Sequence, residues 1–340
     1  MPVADLLNKM PRLRLMQGPT PIQRLDRLEE FLGIGGHDIS IWAKRDDFMA
    51  LGGGGNKLRK LEFLLGQVRS EGCDTVIAMG GVQSNFARLA AAACARTGLA
   101  CELVLAQMVP RDDTTYQTNG NVLLDHLFGA RVHVLNAGDN PMDFATRRIA
   151  EIDASGRKAF LATLGGSTPV GCLGYVDCAF EITEQSAELG IEFDQIVIPN
   201  GSGGMHAGLV AGMVIDGRPP SRIKAYTVLS PQQACLSVTA GKVNAVFDLL
   251  SVQERVEEGD LIISAGQLGD GYGIPTSAMV DALRMIGRSE GLLLDPVYGG
   301  KAFAGLISDI RTGAIPASSN VLFVMTGGSP GLYAYPDTFP

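Results

Sequence analysis

The sequence predicts an α/β protein built on two open, mostly parallel sheets with flanking helices. Short apolar runs alternate with helical patterns over most of the chain, the runs fall into two series, and glycine-rich turns follow several of them. Such alternation is the sequence form of parallel strands whose crossovers are helices that cover the sheet.

The first series places strands at Thr75–Met79 (TVIAM), Glu102–Ala106 (ELVLA) and Val132–Leu135 (VHVL), with helices over 56–70, 84–97, 114–128 and 142–155. The second places strands at Gln195–Ile198 (QIVI), Ile223–Val228 (IKAYTV), Leu261–Ser264 (LIIS) and Val321–Met325 (VLFVM). Its helices run over 171–188, 205–214, 277–290 and 300–312. No long linker, repeat or low-complexity tract marks a boundary between the two series. Open α/β folds bind ligands beyond the carboxyl ends of their strands, so chemistry is expected in the strand-to-helix turns.

Composition narrows the function. At 340 residues, 46% hydrophobic and with 43 glycines, the chain is compact and loop-rich. A net charge of -8 argues against nucleic acid or an anionic membrane as the main partner. Cys73, Cys94, Cys101, Cys172, Cys178 and Cys235 form no CxxC pair, which suits buried thiols in a reducing compartment better than a disulfide framework. Charges and prolines interrupt the N-terminal apolar residues, and no run reaches membrane-span length, so a cytoplasmic protein is expected. His37, His126, His133 and His206 lie far apart, and no metal site is expected from them.

The first chemical signal is Leu51-Gly52-Gly53-Gly54-Gly55-Asn56-Lys57, a lysine at the end of four glycines and at the start of an amphipathic helix. The positive end of a helix disfavours a second positive charge, and a partly neutral lysine attacks carbonyls to form a Schiff base. An ordinary solvated first-turn lysine is the competing reading. A phosphate loop of the Walker type is not matched, because Leu58 follows Lys57 where serine or threonine is required. The glycines before Lys57 are read as clearance for a flat ring.

Three turns add partners. Gly80-Gly81-Val82-Gln83-Ser84-Asn85-Phe86 follows a strand; Ser84 or Asn85 is either a helix cap or a group gripping a phenolic oxygen or a carboxylate. Asn200-Gly201-Ser202-Gly203-Gly204-Met205-His206 offers successive amides at a helix start, an anion cup with Ser202 adding a hydroxyl, or else a tight turn alone. His206 stands where a dinucleotide fingerprint has its third glycine, so phosphate fits better than dinucleotide, and His206 is read as a packing residue. Thr326-Gly327-Gly328 follows the last strand and sets a hydroxyl to face a ring nitrogen or to turn the chain. Tyr272 and Tyr298 lie in equally turn-like surroundings, either as buried aromatics or as groups that orient a carboxylate or move a proton. A candidate Schiff-base lysine, an anion cup, an amide and a hydroxyl together describe a pyridoxal 5'-phosphate site.

The chain resembles the fold-type II pyridoxal-phosphate enzymes that include D-cysteine desulfhydrase and 1-aminocyclopropane-1-carboxylate deaminase. The resemblance rests on Gly18-Pro19-Thr20-Pro21, Lys44-Arg45-Asp46-Asp47, Gly54-Gly55-Asn56-Lys57 with Arg59-Lys60-Leu61-Glu62, Gln83-Ser84-Asn85 and Thr118-Asn119-Gly120-Asn121. It continues through Leu173-Gly174-Tyr175, the Gly201–Gly208 turn, Tyr272-Gly273-Ile274-Pro275, Asp295-Pro296-Val297-Tyr298 and Thr326-Gly327-Gly328. It implies that Lys57 carries the cofactor covalently, that Asn85 holds the ring hydroxyl, and that the amides of Gly201, Ser202, Gly203, Gly204 and Met205 hold the phosphate. Thr326 then lies near the pyridine nitrogen, and Ser84, Phe86, Tyr272 and Tyr298 beside a small amino-acid substrate. The resemblance also implies a homodimer in which a smaller domain, 60–168, closes over a larger one made of 1–59 and 169–340.

Three positions leave the family pattern. Phe86 replaces a polar residue, Met205 a threonine, and Gly299 follows Tyr298 where the deaminase has a glutamate and the desulfhydrase a threonine. The expected reaction is β-elimination, with D-cysteine giving pyruvate, ammonia and hydrogen sulfide as the first reading. L-Cysteate or another β-substituted amino acid comes next, then the cyclopropane amino acid. A phosphate-binding protein without catalysis is the reading from a different class.

Overall fold

The computed structural model describes residues 6–34, 39–136 and 138–339; His37 and the first five residues of the N-terminal segment lie outside them. Two sheets carry the fold. The larger has six strands in the order β1 (Ile22–Arg24), β2 (Ser40–Lys44), β10 (Asn320–Val324), β7 (Gln195–Asn200), β8 (Ile223–Thr227) and β9 (Ile262–Ser264). All its pairings are parallel except β1 with β2. The smaller is wholly parallel, in the order β5 (Arg131–Val134), β4 (Ala100–Ala106), β3 (Thr75–Gly81) and β6 (Ala159–Ala162).

The helices that lie wholly within the described residues are α1 (Asp26–Leu32), α2 (Lys57–Ser70), α3 (Asn85–Thr97), α4 (Thr114–Thr118), α5 (Asn121–Leu127), α6 (Pro141–Ala154), α7 (Pro169–Leu189), α8 (Gly204–Ile215), α9 (Gln232–Leu250), α10 (Ser277–Glu290) and α11 (Gly299–Arg311). They cover both faces of each sheet. Along β7, Ile196 and Ile198 turn toward α7, α8 and α9, while Val197 turns toward α10 and α11. Along β3, Val76 and Ala78 meet α2 and α3, and Ile77 meets α6. This two-residue period is the pleat of a sheet buried on both faces.

Three strands, β1, β2 and β6, and the helices α1 and α9 were not expected from the sequence. Ile22–Arg24 and Ala159–Ala162 span only three and four residues, and Ser40–Lys44 ends on a lysine that burial should exclude. That lysine is buried because Glu181, Gln185 and the carbonyl of Thr20 receive its ammonium. The single helix expected over 114–128 is two, α4 and α5. Gly120 breaks it with φ +62°, and a Cβ there would lie 2.7 Å from Gln83 Oε1 and 2.8 Å from the carbonyl of Pro330.

The strand ends matter most for function. β3 runs out at Gly81, β7 at Asn200 and β10 at Val324, and the three turns singled out in the sequence follow these ends. Among the described residues no helix is long and apolar enough to cross a membrane.

Candidate active site

Lys57 is the first residue of α2 and lines a cavity together with Ser84, Asn85, Tyr272, Tyr298 and Thr326. Its Nζ donates to Asn56 Oδ1 at 2.8 Å, and Asn56 Nδ2 reaches Met205 Sδ at 3.7 Å, tying the lysine to the glycine-rich turn. Burial, with the nearby positive charges of Lys60 and Arg88, pushes the Lys57 amine down to about 7, against the opposing pull of Asp295 and Asp46. The sequence gives the direction of this shift, but its chief cause is desolvation rather than the helix end.

The four glycines serve the backbone. Gly52, Gly53, Gly54 and Gly55 have φ of +61°, +79°, +76° and +126°, and none of them lines the cavity, so they are not clearance for a ring. A Cβ on Gly54 would lie 2.5 Å from the carbonyl of Asp47 and 2.6 Å from that of Met49. Buried Arg88 of α3 clasps this loop, donating to the carbonyls of Gly52 and, at 2.9 Å, Gly54.

Ser84 caps α3, accepting from the amide of Ala87 at 3.1 Å, and also lines the cavity. Asn85 Oδ1 accepts from Asn121 Nδ2 at 3.0 Å, which fixes the amide orientation. Its Nδ2 is then turned to the side where a Cβ on Gly328 would lie 2.5 Å away. Phe86 is buried in the core between α2 and α3, and a Cβ on Gly166 would meet its ring at 2.7 Å. It belongs to that core and also lines the cavity.

After β7, Gly203 at φ +79° turns the chain into α8, presenting the amides of a helix start to the cavity. Ser202 Oγ and Ser167 Oγ are 2.7 Å apart, and Lys60 Nζ donates to Ser167 Oγ at 2.8 Å and to the carbonyl of Gly165 at 3.0 Å. A Cβ on Gly204 would lie 2.7 Å from Lys60 Nζ, so only glycine leaves this cradle open. Burial lowers Lys60 to about 8. His206 is buried, lines the cavity, faces Asn200 Nδ2 at 3.1 Å, and is held down to about 3 by desolvation.

Tyr272 and Tyr298 touch through their hydroxyls at 2.6 Å, and Lys57 Nζ lies 5.9 Å from the centre of the Tyr298 ring. Burial raises both phenols well above their ordinary value. Asp295 aims Tyr298 by accepting the amides of Val297, Tyr298 and Gly299 at 3.0, 2.8 and 2.7 Å. Thr326 accepts the Asn56 amide on its carbonyl at 3.0 Å and lines the cavity beside it.

Residues 13–327 match the family profile described as pyridoxal-phosphate dependent enzyme. The chain belongs to that family. It is 36% identical to a 1-aminocyclopropane-1-carboxylate deaminase of Allorhizobium ampelinum, over 97% of this chain and 98% of the relative. It is 38% identical to a D-cysteine desulfhydrase of Klebsiella pneumoniae, over 97% of each. The crystal structure of an ACC deaminase homologue superposes with a TM-score of 0.87 at 35% identity, covering 99% of this chain and 98% of its own. A pyridoxal 5'-phosphate-dependent aspartate racemase, 15% identical and covering 96% of this chain and 93% of its own, shares the fold with a TM-score of 0.65.

The protein is therefore a pyridoxal-phosphate dependent enzyme of the group that holds ACC deaminases and D-cysteine desulfhydrases. The residues of the cavity fit that cofactor: an amine near neutral pKa for the aldehyde, and an open cradle of helix-start amides with Lys60 for the phosphate. Among the described residues no three His, Cys, Asp or Glu gather for a metal ion.

Sequence reasoning passed over Lys60, Asp295, Arg88, Asn121 and Ser167. Lys60 stands three residues after Lys57, a spacing that shares a helix face and marks it as a candidate. Asp295 before a proline is likewise a turn signal. Asn121 stands in a stretch that carries the resemblance and Arg88 follows Asn85 by three residues, but nothing local says what either grips, and Ser167 reaches the site from a remote segment.

Proposed function

We propose that the enzyme catalyses β-elimination from a small β-substituted amino acid, with D-cysteine and water giving pyruvate, ammonia and hydrogen sulfide. The observation that carries this reading is the Lys57 amine, near neutral pKa, facing the hydrogen-bonded pair Tyr272 and Tyr298 across one cavity. Gly299 weighs against cyclopropane opening, since the resemblance places a glutamate there in the deaminases, and it departs equally from the threonine of the desulfhydrases.

Lys57 would hold the cofactor, Asn85 its ring hydroxyl, and the Gly201–Met205 amides with Lys60 and Ser202 its phosphate. Thr326 would face the ring nitrogen with a neutral hydroxyl. Bound pyridoxal phosphate supplies an aldehyde for the substrate amine and an electron sink for the carbon beside it. Lys57 Nζ, once free, takes the proton from that carbon. Ser84 and Asn85 orient the substrate carboxylate, Phe86 closes the apolar side, and the Tyr298 hydroxyl, relayed through Tyr272, passes a proton to the leaving sulfur. The reading includes a cytoplasmic homodimer in which 60–168 closes over 1–59 and 169–340.

A keto-acid release assay over D- and L-cysteine, β-chloroalanine, L-cysteate, serine and the cyclopropane amino acid tests this. Pyruvate with equimolar sulfide from D-cysteine is expected. No sulfide from D-cysteine, with pyruvate from L-cysteate instead or 2-oxobutanoate from the cyclopropane amino acid, overturns it. Light scattering of the eluted protein checks the dimer.

A further inference from the structure

Tyr272 rides on a loop that has little structure of its own. Residues 265–276 form no helix or strand, and Gly266, Gly269, Gly271 and Gly273 all have φ between +65° and +156°. The described backbone holds it internally through a single hydrogen bond, from Ile274 N to Gly271 O at 3.3 Å. Glycines in such conformations leave the chain many alternatives, so the place of the Tyr272 hydroxyl has to be imposed from outside.

Lys301, in the first turn of α11, imposes it. Its Nζ donates to the carbonyl of Leu268 at 2.6 Å and to that of Gly271 at 2.9 Å, on either side of the loop's exposed tip. The side chain is fully buried, and among the described residues no carboxylate lies within ion-pair distance, Asp270 of the same loop acting on its charge only from farther off. A buried ammonium with no carboxylate in contact is costly, and its hydrogen bonds to these carbonyls offset most of that cost. Tyr335 adds a third hold, its hydroxyl donating to Gly273 O at 3.0 Å.

The same helix starts just after Tyr298. Tyr298 is its N-cap and Lys301 stands three residues on, so one helical turn carries one tyrosine and grips the loop of the other. We propose that Lys301 is a positioning residue for the reaction, setting the contact between Tyr272 and Tyr298 by holding the carbonyls of Leu268 and Gly271. The inference rests on the proposed place of Tyr272 beside the substrate.

The test uses the holoenzyme and Lys301→Met, which keeps the bulk of the stem and removes its donors. Chymotryptic cleavage after Tyr272 should quicken about tenfold, as expected when a restrained segment opens locally. Turnover of the fastest amino acid of the panel should fall about tenfold, and by less than about twofold when Tyr272→Phe is already present, because residues acting through one another are not additive. Tyr335→Phe, which removes one hydroxyl and leaves the core packed, should show both effects in smaller degree. An unchanged cleavage rate in both variants overturns the inference whatever turnover shows. An impaired Tyr272→Phe on which Lys301→Met still acts in full overturns the inference alone. A Tyr272→Phe enzyme with full turnover overturns the proposed role of Tyr272 and the inference with it.

Discussion

The hydroxyls of Tyr272 and Tyr298 lie 2.6 Å apart at the wall of the cavity that Lys57 enters, so one phenol donates to the other. Their rings meet edge to face with centroids 5.9 Å apart, and burial keeps both protonated through the neutral range. Removing either hydroxyl breaks the pair. Tyr298→Phe and Tyr272→Phe are each expected to lower kcat by about a hundredfold, the range of a single proton-transfer group. The double variant should be no worse than the poorer single one, which steady-state kinetics checks.

The Lys57 amine, lowered from 10.5 to about 7, is largely free at pH 8 and largely charged at pH 6. Capture of pyridoxal phosphate by the apoprotein should accelerate as pH rises through 7 and level off above about 8, where the amine of a group with that pKa is mostly neutral. Between about 7 and 10.5 the unfolded chain binds the extra proton, so apoprotein stability should rise with pH there. Stopped-flow absorbance measures the first and thermal melts the second; a capture midpoint near 10 would refute the shift.

Gly54→Ala places a Cβ within 2.6 Å of two carbonyls in a left-handed backbone conformation. Neither carbonyl belongs to a flexible side chain, so the loop itself must move. A loss of about 3 kcal/mol or more in chemical denaturation is expected, with weakened cofactor retention because Lys57 follows the loop.

Phe86→His sets an imidazole in the apolar core between α2 and α3, against Leu64 and Gly166. It should destabilise the protein by about 3 kcal/mol, the combined scale of a lost aromatic contact and a buried polar group without a partner. Denaturant unfolding checks it. If stability holds and D-cysteine turnover rises, Phe86 acts as a specificity residue and its packing is secondary.

Asp125 of α5 is fully buried, its two oxygens have no hydrogen-bond partner among the described residues, and burial raises it to about 8 against the pull of Arg88. The folded protein therefore keeps a proton that the unfolded chain releases near pH 4, and stability falls as pH rises from about 4 to 8. Asp125→Asn should match the wild type at pH 4 and melt a few degrees higher at pH 8, measured by differential scanning calorimetry.

The sequence by itself determined the α/β class, because parallel strands buried on both faces require apolar runs that alternate with helices. It also determined the three glycine-rich turns, because close approach and positive φ exclude most other residues there. Lys57, Ser84, Asn85, the Gly201–Met205 turn and Thr326 were legible for that reason, and the tertiary structure brings them with Tyr272 and Tyr298 to one cavity. What only the tertiary structure decided is what holds them. Arg88 reaches the glycine loop from α3, Asn121 fixes the Asn85 amide from α5, Lys60 and Ser167 meet across more than a hundred residues, and Lys301 grips the loop of Tyr272. Hydrogen bonds between remote segments depend on where strands end in space, and no local pattern of residues encodes that.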